Sequence, residues 1–195
     1  FSNDRIASET ARGKYSSLDA PNEMIWGNAP SQYVCQIAED KAAGQAKYKY
    51  NTIAAAIEAC PEGTASAVGE HRTIEMLRSE YDLDIEPEHE VTINKSQNIT
   101  FTTATREDIE AEGHTYAPTA TWYRSPEQGQ SPDWIYMLNI DEGVTESRTN
   151  AIVTLANIKL DGKGDVQTSK SSAVYVSHPS YGFLNFVKES RAGCP

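Results

Sequence analysis

The sequence is short of basic residues, of cysteine and of long apolar runs. Lys and Arg total 17 against 28 Asp and Glu, which gives a formal net charge of −11. Phosphate contacts need clustered Lys and Arg, so we expect neither nucleic-acid binding nor attraction to an acidic membrane surface. No apolar run approaches the ~20 residues that span a bilayer, so we expect no membrane insertion. The polar opening, FSNDR, does not resemble a signal peptide.

Few side chains have the spacing of a known catalytic or metal-binding motif. The four histidines are not spaced as zinc ligands, and no G-x-S-x-G or complete P-loop pattern occurs. We therefore expect no cofactor and no metal. The three cysteines, Cys35, Cys60 and Cys194, allow one disulfide with a free thiol, or no bridge. In a secreted protein we favour a Cys35–Cys60 bridge, and buried reduced thiols are the alternative.

The 195 residues suit one domain preceded by an arm. Residues 1–31 are rich in Ser, Asn, Asp and Pro, and we expect an irregular N-terminal arm there. Residues 32–195 form the predicted domain, with its clearest helix over residues 51–60. Asn51 is a suitable N-cap, and Ile53 and Ile57 lie on one face of this helix.

We predict that the rest of the chain forms short strands separated by Gly, Pro, Ser and Asp. The strongest apolar runs start at residues 98, 120, 136, 152 and 173, which is wider than the ~8–12 residues usual in a β-sandwich. Such spacing is typical of a solenoid in which each coil contributes two or three strands. The predicted strands are residues 32–38, 72–78, 81–86, 90–94, 98–103, 119–124, 134–140, 151–160, 173–177 and 183–187.

Several segments resemble the pectate-lyase-like, right-handed parallel β-helix regions of secreted or wall-attached bacterial surface proteins. They include YKYNTIAAAIEAC, EVTINKSQNITF and IVTLANIKLDG, in that order. The resemblance implies an all-β fold, a right-handed parallel β-helix (solenoid) with a short N-terminal capping helix. It also implies that Asn98 and Asn157 sit at coil corners, where Asn tolerates left-handed geometry. The segment of residues 105–118 departs from the short turns of this pattern.

This resemblance favours a non-enzymatic extracellular or cell-surface module for adhesion or display. Its expected partner is a host glycan or protein receptor, since exposed aromatic rings dominate binding surfaces. Core packing is the competing interpretation for the aromatic residues. The candidate ligand-binding residues are Trp134, Tyr136, Trp122, Tyr175 and His178.

The alternative is a polysaccharide lyase or glycoside hydrolase of the pectin-lyase-like group, so enzymatic activity stays open. Its candidate catalytic pair is Asp161 and Asp165, because two nearby carboxylates can act as acid and base. A tight turn explains the same residues. The acidic residues between Asp82 and Glu90 could bind Ca²⁺, or could form a solvated acidic face. A purely architectural piece of a phage or spore is a third interpretation.

Overall fold

The computed structural model describes residues 32–64, 66–83, 91–123, 137–140, 151–161, 174–176, 183–186 and 191–193. All of them belong to the second of two units into which the chain divides, Gln32–Pro195. The predicted arm of residues 1–31 lies outside the described residues.

The described residues form short strands and short helices. The helices are α1 (Ala38–Ala42), α2 (Ile53–Ala59) and α3 (Arg106–Ala111). The strands are β1 (Cys35–Ile37), β2 (Lys49–Tyr50), β3 (Arg72–Met76), β4 (Glu80–Asp82), β5 (Val91–Ile93), β6 (Asn98–Thr103), β7 (Ala120–Tyr123), β8 (Leu138–Ile140), β9 (Ile152–Leu155), β10 (Ile158–Asp161), β11 (Val174–Val176), β12 (Phe183–Phe186) and β13 (Arg191–Gly193).

The strands build three sheets. The six-stranded sheet has the order β12-β9-β6-β3-β1-β2, the four-stranded sheet β13-β10-β7-β4 and the three-stranded sheet β11-β8-β5. From β3 onward, consecutive strands join the three sheets in turn, and their pairings are parallel. Strand β1 runs antiparallel to both β2 and β3.

The prediction of an all-β, right-handed parallel β-helix is wrong. The six-stranded sheet is mixed because its first two strands are antiparallel to their neighbours. Three helices, rather than one, lie within the described ranges. In those ranges the strands form separate mixed and parallel sheets rather than a closed or solenoid sheet. The spacing of apolar runs predicts where strands occur, but it does not specify the direction or partner of each pairing.

Alternating side chains place the core between the sheets. Ile74, Phe101 and Leu155 lie in register on β3, β6 and β9, and all three are fully buried. Successive side chains of a strand point to opposite faces, so the residues between them face outward. Burying such aliphatic and aromatic side chains stabilises the fold by about 1.5–3 kcal/mol each.

The predicted strand over residues 151–160 is two strands, β9 and β10, which belong to different sheets. Asn157 lies between them with a φ of 55°, a left-handed conformation that Asn tolerates better than most residues. Its carbonyl accepts hydrogen bonds from the Thr103 hydroxyl at 2.6 Å and from the Ala120 amide at 3.3 Å. The predicted left-handed geometry of Asn157 is therefore confirmed, whereas Asn98 is the first residue of β6 and does not have a positive φ.

The predicted helix over residues 51–60 forms as α2, but its N-cap is Thr52 rather than Asn51. The Thr52 hydroxyl accepts a hydrogen bond from the Ala55 amide at 3.0 Å. Ile53 and Ile57 are buried, and the helix packs against β1, β2 and β5. At its C-terminal end, the buried Gln97 amide nitrogen donates to the carbonyls of Ile57 and Cys60 at 2.8 and 3.0 Å.

The other two helices were not predicted. Helix α1 follows β1 directly, and soon after its end the chain turns at Gly44, which has a φ of 69°. The segment of residues 105–118 contains α3, whose first turn is capped by the Thr105 hydroxyl, which accepts from the Asp108 amide. Both helices contribute acidic residues near the outer face of the six-stranded sheet.

Candidate functional site

Of the predicted ligand-binding residues, the structure describes Trp122 and Tyr175, which lie in different sheets. Trp122 is fully buried, and its ring meets the Phe101 ring edge-on, with centroids 5.2 Å apart. The prediction that Trp122 binds a ligand is therefore corrected, since an outward-facing position in β7 falls to its neighbour Tyr123. Tyr175 lies in β11, in register with Asn139 of β8. Trp134, Tyr136 and His178 lie outside the described residues.

Cys35 and Cys60 are both buried, and the structure has them as thiols that are not joined to each other. The predicted Cys35–Cys60 bridge is therefore corrected. Each thiol donates to a different carbonyl, Cys35 to Thr52 at 3.7 Å and Cys60 to Ala56 at 3.3 Å. Burial raises the pKa of the Cys60 thiol to about 12, so it is protonated and a poor nucleophile at neutral pH. Cys194 lies outside the described residues.

Asp161, one of the two predicted catalytic carboxylates, ends strand β10. The Lys159 ammonium donates to its Oδ2 at 2.7 Å, and the two side chains are 43% and 28% exposed. The second predicted carboxylate, Asp165, lies outside the described residues. The structure therefore places Asp161 on the outer face of the four-stranded sheet, together with side chains from other strands.

Three outward side chains lie in register at the C-terminal ends of β4, β7 and β10. Asp82 of β4 and Asp161 of β10 occupy the positions on either side of Tyr123 in β7. We call these three residues the acid–tyrosine row. All three are half-buried, whereas Tyr81, Trp122 and Leu160 beneath them are buried.

A second outward row lies two residues earlier on each of the three strands and contains Glu80, Thr121 and Lys159. The two rows together combine three carboxylates, one ammonium, one hydroxyl and one phenol. Burial raises the pKa of the Tyr123 phenol, and the negative charges of Asp82 and Glu80 raise it further. The phenol thus stays protonated at neutral pH, so its O–H is a hydrogen-bond donor beside acceptors.

Sequence reasoning recognised Tyr123 only as one of several aromatic residues and Asp82 only as part of an acidic run. Their alternation with buried residues was a usable signal for the outward direction of both side chains. Their registration with Asp161 could not be found this way, because the three residues are separated by about 40 positions each and meet only through strand pairing.

No group of His, Cys, Asp or Glu within the described ranges could hold a metal ion. Of the acidic residues proposed for Ca²⁺, Asp82 alone lies in those ranges, and it belongs to the acid–tyrosine row. In the part of the chain that is described, no helix is long and apolar enough to cross a membrane.

We compared the chain with known protein families, curated proteins and solved structures. No family model, no curated protein and no solved structure matches the chain. The resemblance to bacterial surface proteins stays a prediction from sequence motifs.

Proposed function

We propose that the chain is a non-enzymatic module for adhesion or display, placed outside the cell or on its surface, and that it binds a host glycan. The acid–tyrosine row on the outer face of the four-stranded sheet carries this proposal. It supplies an aromatic ring between two carboxylates on three adjacent strands.

The chemistry of the row suits a sugar. An aromatic ring offers an apolar face with a polar edge, which matches the apolar face and hydroxyl rim of a pyranose. The carboxylates of Asp82 and Asp161 accept hydrogen bonds from hydroxyl groups, and the Tyr123 phenol donates one. Adjacent strands lie about 4.8 Å apart, so the row offers these groups over about 10 Å.

The rigidity of the strand that carries Tyr123 also supports binding. Tyr123 projects from a central strand that pairs with β4 and β10, and the buried Trp122 and Leu160 fix the sheet beneath it. A ring held on a paired strand loses little conformational freedom when a ligand binds, which favours affinity.

The test is binding of the purified chain to an array of neutral, acidic and amino-sugar glycans. We expect specific retention that falls at least tenfold in a Tyr123→Ala variant, as for a central aromatic contact. Tyr48→Ala is the matched control, since Tyr48 is also half-buried but lies beside β2, with the Lys49 ammonium 5.3 Å from its ring centroid. Retention that survives Tyr123→Ala, or no retention of the wild type, would contradict the proposal.

A Trp134→Ala variant in the same array tests the sequence-based candidate. Loss of retention in Trp134→Ala together with normal retention in Tyr123→Ala would move the binding surface away from the acid–tyrosine row. A host protein as ligand is a further outcome, read from parallel retention on immobilised matrix proteins.

The second candidate is a polysaccharide-cleaving enzyme, and the placing of Asp82 and Asp161 favours it. They are two strand spacings apart, or about 10 Å at the backbone, near the ~6.5–9.5 Å separation of inverting glycosidases. The ion pair with Lys159 argues against free proton exchange at Asp161. New reducing or unsaturated ends from a polysaccharide, lost in Asp82→Asn and in Asp161→Asn, would establish the enzyme instead of the binder.

A further inference from the structure

A second polar group lies on the outer face of the six-stranded sheet, away from the acid–tyrosine row. Gln36 of β1 is in register with Glu75 of β3. Its amide nitrogen donates to Glu75 Oε2 at 3.0 Å and to Asp108 Oδ2 of α3 at 3.2 Å. The Lys41 ammonium of α1 pairs with the other oxygen of Asp108. We call Gln36, Lys41, Glu75 and Asp108 the Gln36 cluster.

The Gln36 cluster leaves one buried acceptor without a donor. Gln36 is 1% exposed, and its Oε1 is buried with no hydrogen-bond partner. The amide nitrogen faces the two carboxylates, since an ionised carboxylate only accepts hydrogen bonds and therefore requires a donor. Buried polar atoms normally have a partner, so this oxygen is an exception that calls for an explanation.

The charges that face Glu75 come from both neighbouring helices. Helix α1 contributes Glu39 and Lys41, helix α3 contributes Asp108, and β6 places the uncharged Thr102 in register with Glu75. Glu75 and Asp108 therefore share the Lys41 ammonium. Burial raises the pKa of Glu75 above its ordinary 4.5, and Asp108 and Glu39 raise it further, against the Gln36 hydrogen bond and Lys41.

The pKa of Asp108 is shifted in the opposite direction to that of Glu75. Burial alone would raise its pKa, but the hydrogen bonds from Lys41 and Thr105 outweigh burial and hold the pKa below its ordinary 3.8. One carboxylate of the Gln36 cluster is thus kept as an anion, while its neighbour is the group that gains a proton. Such a divergence between two adjacent carboxyl groups is typical of a site with divided roles.

We propose that Glu75 is the proton-binding group of a pH-sensitive clamp that holds α1 and α3 on the sheet. On mild acidification Glu75 takes one proton from solvent, and its new O–H donates to Gln36 Oε1. The Gln36 nitrogen continues to donate to Glu75 and to Asp108. A proton is the occupant that fits, because Gln36 Oε1 is closed to solvent and the Glu75 carboxyl turns easily about its last torsion angle.

The direction of the effect follows from linkage. A raised pKa means that the folded protein holds this proton at pH values where the unfolded chain has lost it. The stability from Glu75 is therefore fully present below the unfolded value of 4.5 and is lost as pH rises through the folded pKa. The clamp is therefore closed at low pH and loosens as pH rises through the folded pKa of Glu75.

The test compares thermal unfolding of the wild type and Glu75→Gln between pH 5 and pH 7.5, with hydrogen exchange of the α3 amides. Gln at position 75 imitates the protonated acid, since its nitrogen can donate to Gln36 Oε1. We expect the wild-type Tm to be a few degrees higher at pH 5 than at pH 7.5. We expect the Glu75→Gln protein to lose that difference and to protect α3 equally at both pH values.

Glu107→Gln is the matched control, because Glu107 lies on α3 next to Asp108 but is exposed. It should retain the wild-type difference. A Glu75→Gln protein that retains it too would overturn the clamp. If Glu75→Gln does not fold, NMR titration of the Glu75 carboxyl in the wild type decides: a pKa at or below 4.5 refutes the proposal, and one above it supports the proposal.

Discussion

The four-stranded and six-stranded sheets both carry polar side chains on their outer faces, but they use them differently. In the acid–tyrosine row, each side chain comes from a strand and is half-exposed. In the Gln36 cluster, strands meet two helices, and the central amide is buried. In-register polar residues therefore form a half-exposed row on the four-stranded sheet, whereas on the six-stranded sheet they link the strands to helix α3.

The largest expected effect distinguishes Trp122, in the core, from Tyr123, in the acid–tyrosine row. Trp122→Ala should lower the free energy of unfolding by about 3–5 kcal/mol, because it removes a fully buried indole packed on Phe101. Tyr123→Ala, one residue away on the opposite face, should cost about 1 kcal/mol or less. Urea unfolding of both variants checks this, and equal losses would show that the two side chains do not differ in burial.

A smaller loss of stability is expected when the Gln36 cluster is disrupted. Gln36→Leu should cost about 2–3 kcal/mol, since two carboxylates lose the amide that bridges them. Gln45→Leu provides the control, because Gln45 is exposed beyond the end of α1. If both variants unfold at the same urea concentration, the amide of Gln36 does not join the helices to the sheet.

The smallest effect concerns the corner that leads from the six-stranded to the four-stranded sheet. Asn157→Ala should cost about 1 kcal/mol, because alanine is strained at a φ of 55°. Asn157→Gly should be close to neutral, since glycine adopts this conformation freely. Thermal unfolding distinguishes the two variants. An alanine variant as stable as the glycine variant would mean that backbone strain does not limit this corner.

Particular residues show what local sequence could and could not predict. Strand β6 was predicted with its observed bounds, because NITFTT alternates apolar and polar residues and begins and ends beside polar turns. Helix α3 was missed, because REDIEA has a single buried apolar residue, Ile109, and no periodic stripe. The fold class was wrong because the antiparallel pairing of β1 depends on a contact with β3 about 40 residues away.

The candidate site divides in the same manner. Asp161 was selected from its own neighbourhood in the sequence, and the structure gives it Lys159 and Tyr123 as neighbours. Trp122 and Tyr123 were indistinguishable as adjacent aromatics, and only strand pairing and burial assign one to the core and the other to the surface. Glu75 was not predicted as a site residue, because the sequence around it does not indicate that Gln36 and Asp108 lie beside it in the fold.

By itself the sequence determined the positions of most strands, the helix at Ile53–Ala59, the left-handed residue Asn157 and the strongly acidic charge. These follow from side-chain alternation, helix capping and backbone sterics, which act over a few residues. The mixed six-stranded sheet, the acid–tyrosine row, the Gln36 cluster and the absence of a Cys35–Cys60 bridge emerge only in the folded chain. Each of these depends on strand pairing or burial between residues far apart in the chain, and no local pattern specifies the register of such contacts.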